Sequence, residues 1–318
     1  MFEKMKSDLE ATMQANNVPF ASFGVTDARA TRMHTHIGSV GGAALDDTHI
    51  FRIASMTKPI VTLAALQLVA GGDLRLDQPM KEILPELGQV QVVSRKGGEL
   101  VFAPLARDIT LHHLLTHTSG YAYDFHAEMI AELVALEKIA GVASDNDAFL
   151  AAPLIFQPGE NWEYGINIDW AGKIVEKVSG VDLNEYVKAN ILRPLGMEHT
   201  SFSINDLNSD ALVPLGLRDD DGNLSDVSEL MPAVTDGPYL GGGGLYSNVG
   251  DYMKFMRMIL QNGQGPNGEI LPAELVREMF DNQIGDKQVG YMPSRNPMLA
   301  KSHGWFEGTS MKWAMASC

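Results

Sequence analysis

Ser55 and Lys58 stand three residues apart in the stretch F-R-I-A-S-M-T-K-P-I-V, Phe51 to Val61, a spacing that puts both side chains on one face of a helix. A serine hydroxyl is a poor nucleophile until a base within hydrogen-bond reach takes its proton, and a lysine amine is such a base only when neutral. Burial disfavours the ammonium form. The residues that follow, Ile60 to Val69, are apolar except for Thr62 and Gln67, and a helix apolar nearly all round is a buried one. Lys58 therefore belongs at the root of a buried helix, where loss of its proton becomes accessible. Pro59 fits a first helical turn, which has no internal acceptor for the missing N–H. This places Ser55 at or next to the helix start, with backbone N–H groups and the positive dipole end facing any oxyanion formed on an acyl group there. Ser55 and Lys58 form the only S-x-x-K match in the chain.

The helix that carries this pair is expected to stop at Gly71 and Gly72, where a left-handed residue closes a helix end. Ahead of it, Phe2, Met5, Leu9 and Met13 fall at helical spacing and read as an amphipathic helix of the mature chain, because no signal-type apolar core is present. Short β-type runs around a D-A-R turn predict a hairpin over roughly residues 20 to 37. From Asp73 to Thr116 the chain is heavily punctuated by Pro79, Pro85, Gly97, Gly98 and Pro104. Further helices are expected over Ala127 to Ala140, Trp170 to Val178 and Leu183 to Leu192, the last stopped by Pro194. A loop-rich segment from Gly196 to Gly244 ends in L-G-G-G-G-L. A capped helix follows, with Tyr252, Phe255, Met256 and Ile259 on one stripe and Gly263 after its end. Strands, then helices, then a strand-poor remainder predict α plus β rather than an alternating βαβ chain.

Composition narrows the function. The 318 residues carry 24 Lys+Arg against 40 Asp+Glu, a net charge of −16, which excludes a protein that coats phosphate backbones or anionic lipid. No nucleic acid or membrane partner is expected, and no run approaches the ~18 apolar residues of a membrane span. A single cysteine, Cys318, allows neither an intrachain disulfide nor a thiolate cluster, and cytoplasmic residence is the default expectation. His113 and His117 are four apart, but no H-E-x-x-H and no third ligand accompany them, so no metal is expected. Gly241 to Gly244 lack the G-K-[ST] of a phosphate cradle and read as a tight backbone passage. No G-x-S-x-G elbow occurs, which speaks against an α/β-hydrolase.

Four separated stretches, F-R-I-A-S-M-T-K-P-I, L-H-H-L-L-T-H-T-S-G, F-Q-P-G-E-N-W-E-Y-G-I-N-I-D-W-A-G and L-G-G-G-G-L-Y-S-N-V-G-D-Y-M-K-F-M, together resemble the serine β-lactamase and penicillin-binding-protein superfamily. Within it they are most similar to the class C-like family VIII carboxylesterases, and the likeness runs to about Leu299. The resemblance implies an α+β, β-lactamase-like fold, an antiparallel sheet flanked by helices plus an all-helical domain. Residues 1–75 with 245–318 would form the sheet domain and 76–244 the mostly helical one. It implies Ser55 as the acylated nucleophile, Lys58 as the motif lysine and Tyr164 as the motif tyrosine. A cation beside a phenol lowers its pKa from about 10, so Tyr164 is expected as the general base that takes the Ser55 proton and later activates water. Tyr121, Tyr123, Phe125, Trp162, Ile166 and Gly243 are the expected pocket residues.

Two departures from the family pattern bear on activity. Two positions after Tyr164 stands Ile166 instead of the asparagine of the β-lactamases, with Asn167 one step on; isoleucine cannot donate a hydrogen bond to a substrate amide, which favours esters. The third family motif, on a strand that supplies a second oxyanion N–H, is also missing. K-W-A-M-A-S-C resembles the approach to that strand, while K-S-H-G, Lys301 to Gly304, aligns better with the loop before it. The expectation is therefore a sheet incomplete at the C-terminus, half an oxyanion hole, which typically costs ~10²–10³ in rate, and an exposed apolar face covered by homo-oligomerisation. The implied function is hydrolysis of short-chain carboxylic esters, small molecules, through an acyl-enzyme on Ser55 and without a cofactor. A β-lactamase, DD-peptidase or acyltransferase of the same fold, or a non-catalytic paralogue that binds acyl ligands, are the alternatives.

Overall fold

The computed structural model describes residues 2–144, 146–219, 221–302 and 311–315. His303, Gly304, Cys318 and the end of K-W-A-M-A-S-C lie outside the described residues. The chain divides into two compact units. The first comprises Met1–Ala54, Lys188–Gly237 and Gly244–Ile270; the second comprises Ser55–Val187, Pro238–Gly243 and Leu271–Cys318.

In the first unit, α1 (Phe2–Ala15) turns Met13 inward. The expected hairpin is β1 (Phe20–Thr26) and β2 (Thr31–Val40), antiparallel from Phe20↔Gly38 to Val25↔Met33 with a register shift between Val25 and Thr26. The D-A-R turn joins them because Asp27 Oδ1 accepts from the N–H groups of Arg29 and Ala30. β3 (Ala43–Ala44) adds a third strand beside β2, and β4 (Phe51–Arg52) pairs with β9 (Tyr246–Ser247). Two small hairpins, β7 (Gly216–Arg218) with β8 (Leu224–Asp226) and β10 (Gln264–Gly265) with β11 (Gly268–Glu269), complete the strands. Among the described residues the largest sheet is thus three-stranded and open. α8 (Val249–Leu260) packs on β1 and is capped by Asn248, whose side chain accepts from the Asp251 N–H.

The second unit is mostly helical. It holds α2 (Thr57–Ala70), α3 (Leu111–Leu115), α4 (Glu128–Ala135), α5 (Asn167–Ser179), α6 (Leu183–Val187) and α9 (Ala273–Glu278). In α2 every residue from Thr57 to Leu66 is buried, as its all-round apolarity requires. A hairpin of β5 (Gln91–Lys96) and β6 (Glu99–Pro104) occupies the punctuated segment. Gly97 and Gly98 both take positive φ in its two-residue turn, as a primed turn demands.

Three helix boundaries differ from the sequence expectation, the first being α5, which begins at Asn167 rather than Trp170. α4 stops at Ala135 rather than near Ala140, because Glu137 turns to φ 55 and the Lys138 N–H reaches back to Leu133 O. The Leu183 to Leu192 helix is α6 followed by a π-helical turn, Lys188–Leu192, and a last turn, α7 (Arg193–Leu195). Pro194 sits inside that last turn, where an early position needs no N–H; the chain leaves the helix at Gly196, φ 69.

Candidate active site

Ser55 lies in a 3₁₀ turn, Ala54–Met56, that runs straight into α2. Ala54 takes φ 44, a left-handed conformation that costs a residue with a Cβ on the order of 1–3 kcal/mol and is tolerated where the surroundings enforce it. Ser55 is half-buried and Lys58, one helical turn on, is fully buried.

The Lys58 ammonium has three N–H groups and three oxygen neighbours. Nζ donates to Ser55 Oγ at 3.0 Å, to Tyr123 OH at 3.1 Å and to the Gly242 carbonyl at 2.6 Å. Gly242 O can only accept, whereas both hydroxyls can reverse their protons, so the amine can give up one proton without losing a contact. On its other side Ser55 Oγ accepts from Tyr164 OH at 2.8 Å. The serine oxygen is therefore held between an amine and a phenol, each within proton-transfer reach.

Buried groups brought in from other elements tune this cluster. Asp169, in the first turn of α5, is buried and its Oδ1 accepts the Gly242 N–H at 2.8 Å. Burial pushes the Asp169 carboxyl up, and the positive charge of Lys58 pulls it back. Gly242 thus offers its N–H to the acid and its C=O to the base. Only glycine fits there, since a Cβ would lie 2.3 Å from Asp169 Oδ2. Burial raises the Tyr123 phenol well above its ordinary range, and Asp169 and Tyr164 add to the effect, so Tyr123 stays protonated beside the lysine.

Tyr164 is fixed by the loop after α3. His117, φ 58 and fully buried, lays its ring against that of Tyr164 at 5.0 Å. His117 O accepts the Glu163 N–H at 3.0 Å, and His117 Nδ1 accepts from Gly165 N at 3.3 Å and Asn167 Nδ2 at 3.0 Å. Burial and then the Lys58 charge hold the imidazole well below its usual pKa, so it is neutral with its proton on Nε2. Trp313 meets Tyr164 edge-on at 6.0 Å and Trp162 at 4.9 Å, and Thr62 Oγ1 of α2 donates to Met315 O. Trp313, of the K-W-A-M stretch, thereby packs against the tyrosine.

Of the expected residues, Ser55, Lys58, Tyr164 and Tyr123 are brought together. Phe125 stacks on Tyr123 at 4.6 Å and forms the next layer, and Trp162 packs with Trp313 and Ile284. The backbone of Gly243 is exposed next to Gly242, and its N–H donates to Leu240 O. Two residues go elsewhere. Tyr121 stacks on Trp170 and lines a cavity of about 700 Å³ with Leu84, Leu150 and Lys173, a lining that does not include Ser55. Ile166 is buried and lines a small cavity with Ala122, Ile130 and Phe149. Asp169 and His117 were not foreseen as site residues. A lone acid in the buried start of α5 was the available signal for Asp169; nothing local pointed to His117. The His113 and His117 rings do not share a partner, since His113 Nδ1 accepts from Thr110 N in the cap of α3.

Comparison with known proteins places the chain in a family. Residues 5–311 match the family model Beta-lactamase. An acyltransferase from Monascus pilosus, mokF, is 34% identical over 259 residues, 78% of this chain and 61% of that one. A lovastatin esterase from Penicillium rubens is 31% identical, with 88% of this chain and 73% of the other covered. Simvastatin synthase from Aspergillus terreus, as its LovD6 mutant, superposes with a TM-score of 0.77 at 30% identity, covering 88% of this chain and 71% of the other. The chain thus spans about three fifths of the mokF length. With a matched model over nearly its whole length and the mixed α/β fold of these relatives, the chain belongs to the Beta-lactamase family.

Proposed function

We propose that this protein is a serine enzyme that cleaves small carboxylic esters through an acyl-enzyme on Ser55. The observation that carries the reading is the pair of contacts on one oxygen, Lys58 Nζ at 3.0 Å and Tyr164 OH at 2.8 Å. Ser55 Oγ attacks the ester carbonyl carbon while its proton passes to the Lys58 and Tyr164 pair. The Ser55 N–H supports the oxyanion. The C–O bond to the alcohol breaks, the alkoxide leaves with the proton held by the pair, and water, activated in the same way, releases the acid. Ser55, Lys58 and Tyr164 supply the nucleophile and every proton transfer, so the step as written calls on no metal or cofactor.

Preference for esters over amides is supported by the amide that is not offered. Ile166 is in the core, and the Asn167 side chain is spent on Ser119 Oγ, His117 Nδ1 and Tyr121 O. Neither donates to a substrate amide. Names of relatives favour a second reading, transfer of the acyl group to an alcohol: mokF is called an acyltransferase and the Penicillium protein an esterase.

Intact-mass spectrometry after addition of p-nitrophenyl butyrate tests the proposal. A mass increase of one butyryl group is expected, absent in Ser55→Ala, with steady turnover down by at least about 10³-fold. Turnover that survives Ser55→Ala contradicts it, and nitrocefin turnover above that of the ester overturns the ester preference. Added alcohol acceptors separate the two readings: ester product formed at the expense of free acid indicates transfer.

A further inference from the structure

A second cluster lies wholly within the first compact unit. In R-M-H-T-H-I, residues 32–37, His34 and His36 alternate along β2 and so project from one face of the strand. Asp47, on the loop after β3, brings its Oδ1 to 3.0 Å from His34 Nε2 and 3.1 Å from His36 Nε2. The three ligand atoms all lie within 4.8 Å of one another. The two rings are 4.8 Å apart and inclined at 57°, so they converge without stacking.

Hydrogen bonding leaves this convergence unexplained. His36 Nε2 is in line with Asp47 Oδ1 for a hydrogen bond, but His34 Nε2, although as close, is not aligned and has no hydrogen-bond partner while being shut off from solvent. Two ring nitrogens aimed around one carboxylate oxygen, one of them orphaned, is the arrangement expected about a common cation rather than about a proton. A tetrahedral zinc site with bonds of 2.0–2.2 Å has ligand-to-ligand edges of about 3.3 Å; the two N···O separations are close to that edge, and the remaining pair, the two Nε2 atoms, lies within 4.8 Å.

The outer contacts are also those of a metal ligand set. Ser22, the residue directly opposite His36 across the β1–β2 ladder, bonds His36 Nδ1 through its Oγ. That contact fixes the ring and leaves Nε2 facing inward, the role an outer partner plays for a metal-bound histidine. The backbone carbonyl of Asp47 accepts from Asn248 Nδ2 at 2.6 Å, which holds the loop against the start of α8. His34 and His36 are about four-fifths buried, whereas the Asp47 side chain is 65% exposed, leaving a solvent side for a water as fourth ligand.

We infer that His34 Nε2, His36 Nε2 and an Asp47 carboxylate oxygen form a binding site for one borderline divalent cation, of which zinc is the best match to two imidazoles and one carboxylate. The bound ion ties β2 to the loop that leads into β4. It belongs to the architecture of the first unit and takes no part in the Ser55 chemistry.

Isothermal titration of the EDTA-stripped full chain with Zn²⁺ is the test. One ion per chain is expected, with a rise in melting temperature, and Co²⁺ in its place should show the intense visible bands of a tetrahedral site. Asp47→Asn, at an exposed position, and His34→Gln should each abolish saturable binding at concentrations that fill the wild type. Ser22→Ala should weaken it roughly 10–100-fold. Circular dichroism of each variant shows that it is folded. Absence of stoichiometric binding by the wild type overturns the site. So does undiminished affinity in a folded His34→Gln, Asp47→Asn double variant, which would assign the ion to other groups.

Discussion

The single amine of Lys58 holds three oxygens at once, and two of them are hydroxyls that face the same serine-centred cluster. The roles of the two phenols at this cluster, Tyr164 and Tyr123, separate by environment. Tyr164 touches Ser55 Oγ, so Tyr164→Phe should lower turnover about 10²–10⁴-fold, the usual worth of a positioned acid or base. The Tyr123 hydroxyl instead bonds the lysine amine and is held protonated by burial. Tyr123→Phe removes one hydrogen bond to a charged group, worth about 1.5–3 kcal/mol, and should lower kcat about 10–100-fold with KM little changed. Unchanged kcat would show that its hydroxyl only fills space. Glu163 gives a pH prediction. Burial pushes its carboxyl from 4.5 up to about 7, so between those values the folded chain holds a proton that the unfolded chain has released. Its contribution to stability is therefore full below pH 4.5 and is lost as the pH rises through 7. Melting temperature should fall across that window in the wild type and fall less in Glu163→Gln, so the variant gains on the wild type above pH 7; parallel curves would refute the shift.

At the scale of elements, the site depends on α2, α5 and the glycine turn meeting at van der Waals distance. A Cβ at Gly241 would stand 2.4 Å from Ile168 O, and one at Gly242 2.3 Å from Asp169 Oδ2. The L-G-G-G-G-L run is therefore a close passage of backbone over the start of α5, which keeps Gly242 O on Lys58 and Gly242 N on Asp169. Gly242→Ala must displace the carboxylate or the turn, and overpacking of this kind costs typically 1–3 kcal/mol. The expected outcome is a lower urea midpoint together with loss of most of the proposed p-nitrophenyl butyrate turnover. A variant with wild-type stability and activity would mean that the turn yields freely and does not position the lysine. The loop after α3 is the complementary device: the His117 backbone at φ 58 lets its carbonyl take Glu163 N–H while its ring supports Tyr164.

At the scale of the molecule, Phe280, Tyr291 and Met298 of the second unit are 60%, 67% and 57% exposed, and no helix among the described residues is long and apolar enough to cross a membrane. The homo-oligomer expected from the sequence is tested by light scattering after size exclusion, which should report a dimer or larger. A monomer at all concentrations would defeat that expectation. What was legible beforehand was local. The spacing of Ser55 and Lys58, the unbroken apolar run that buries α2 and the D-A-R turn of the hairpin follow from periodicity and turn chemistry over a few residues, whereas the stripe expected before Gly263 is not the buried one: Met253, Phe255 and Met258 turn inward and Met256 is exposed. The partners of Lys58 are not of that kind: Tyr123 lies 65 residues away and Gly242 184, while Tyr164 lies 109 residues from Ser55. Sequence alone determined that an amine and a hydroxyl share one turn of a buried helix. Which phenol reaches the hydroxyl, which one only steadies the amine, and which acid and imidazole stand behind them were decided by chain closure, because contacts across such separations depend on how distant elements pack and leave no local pattern to read.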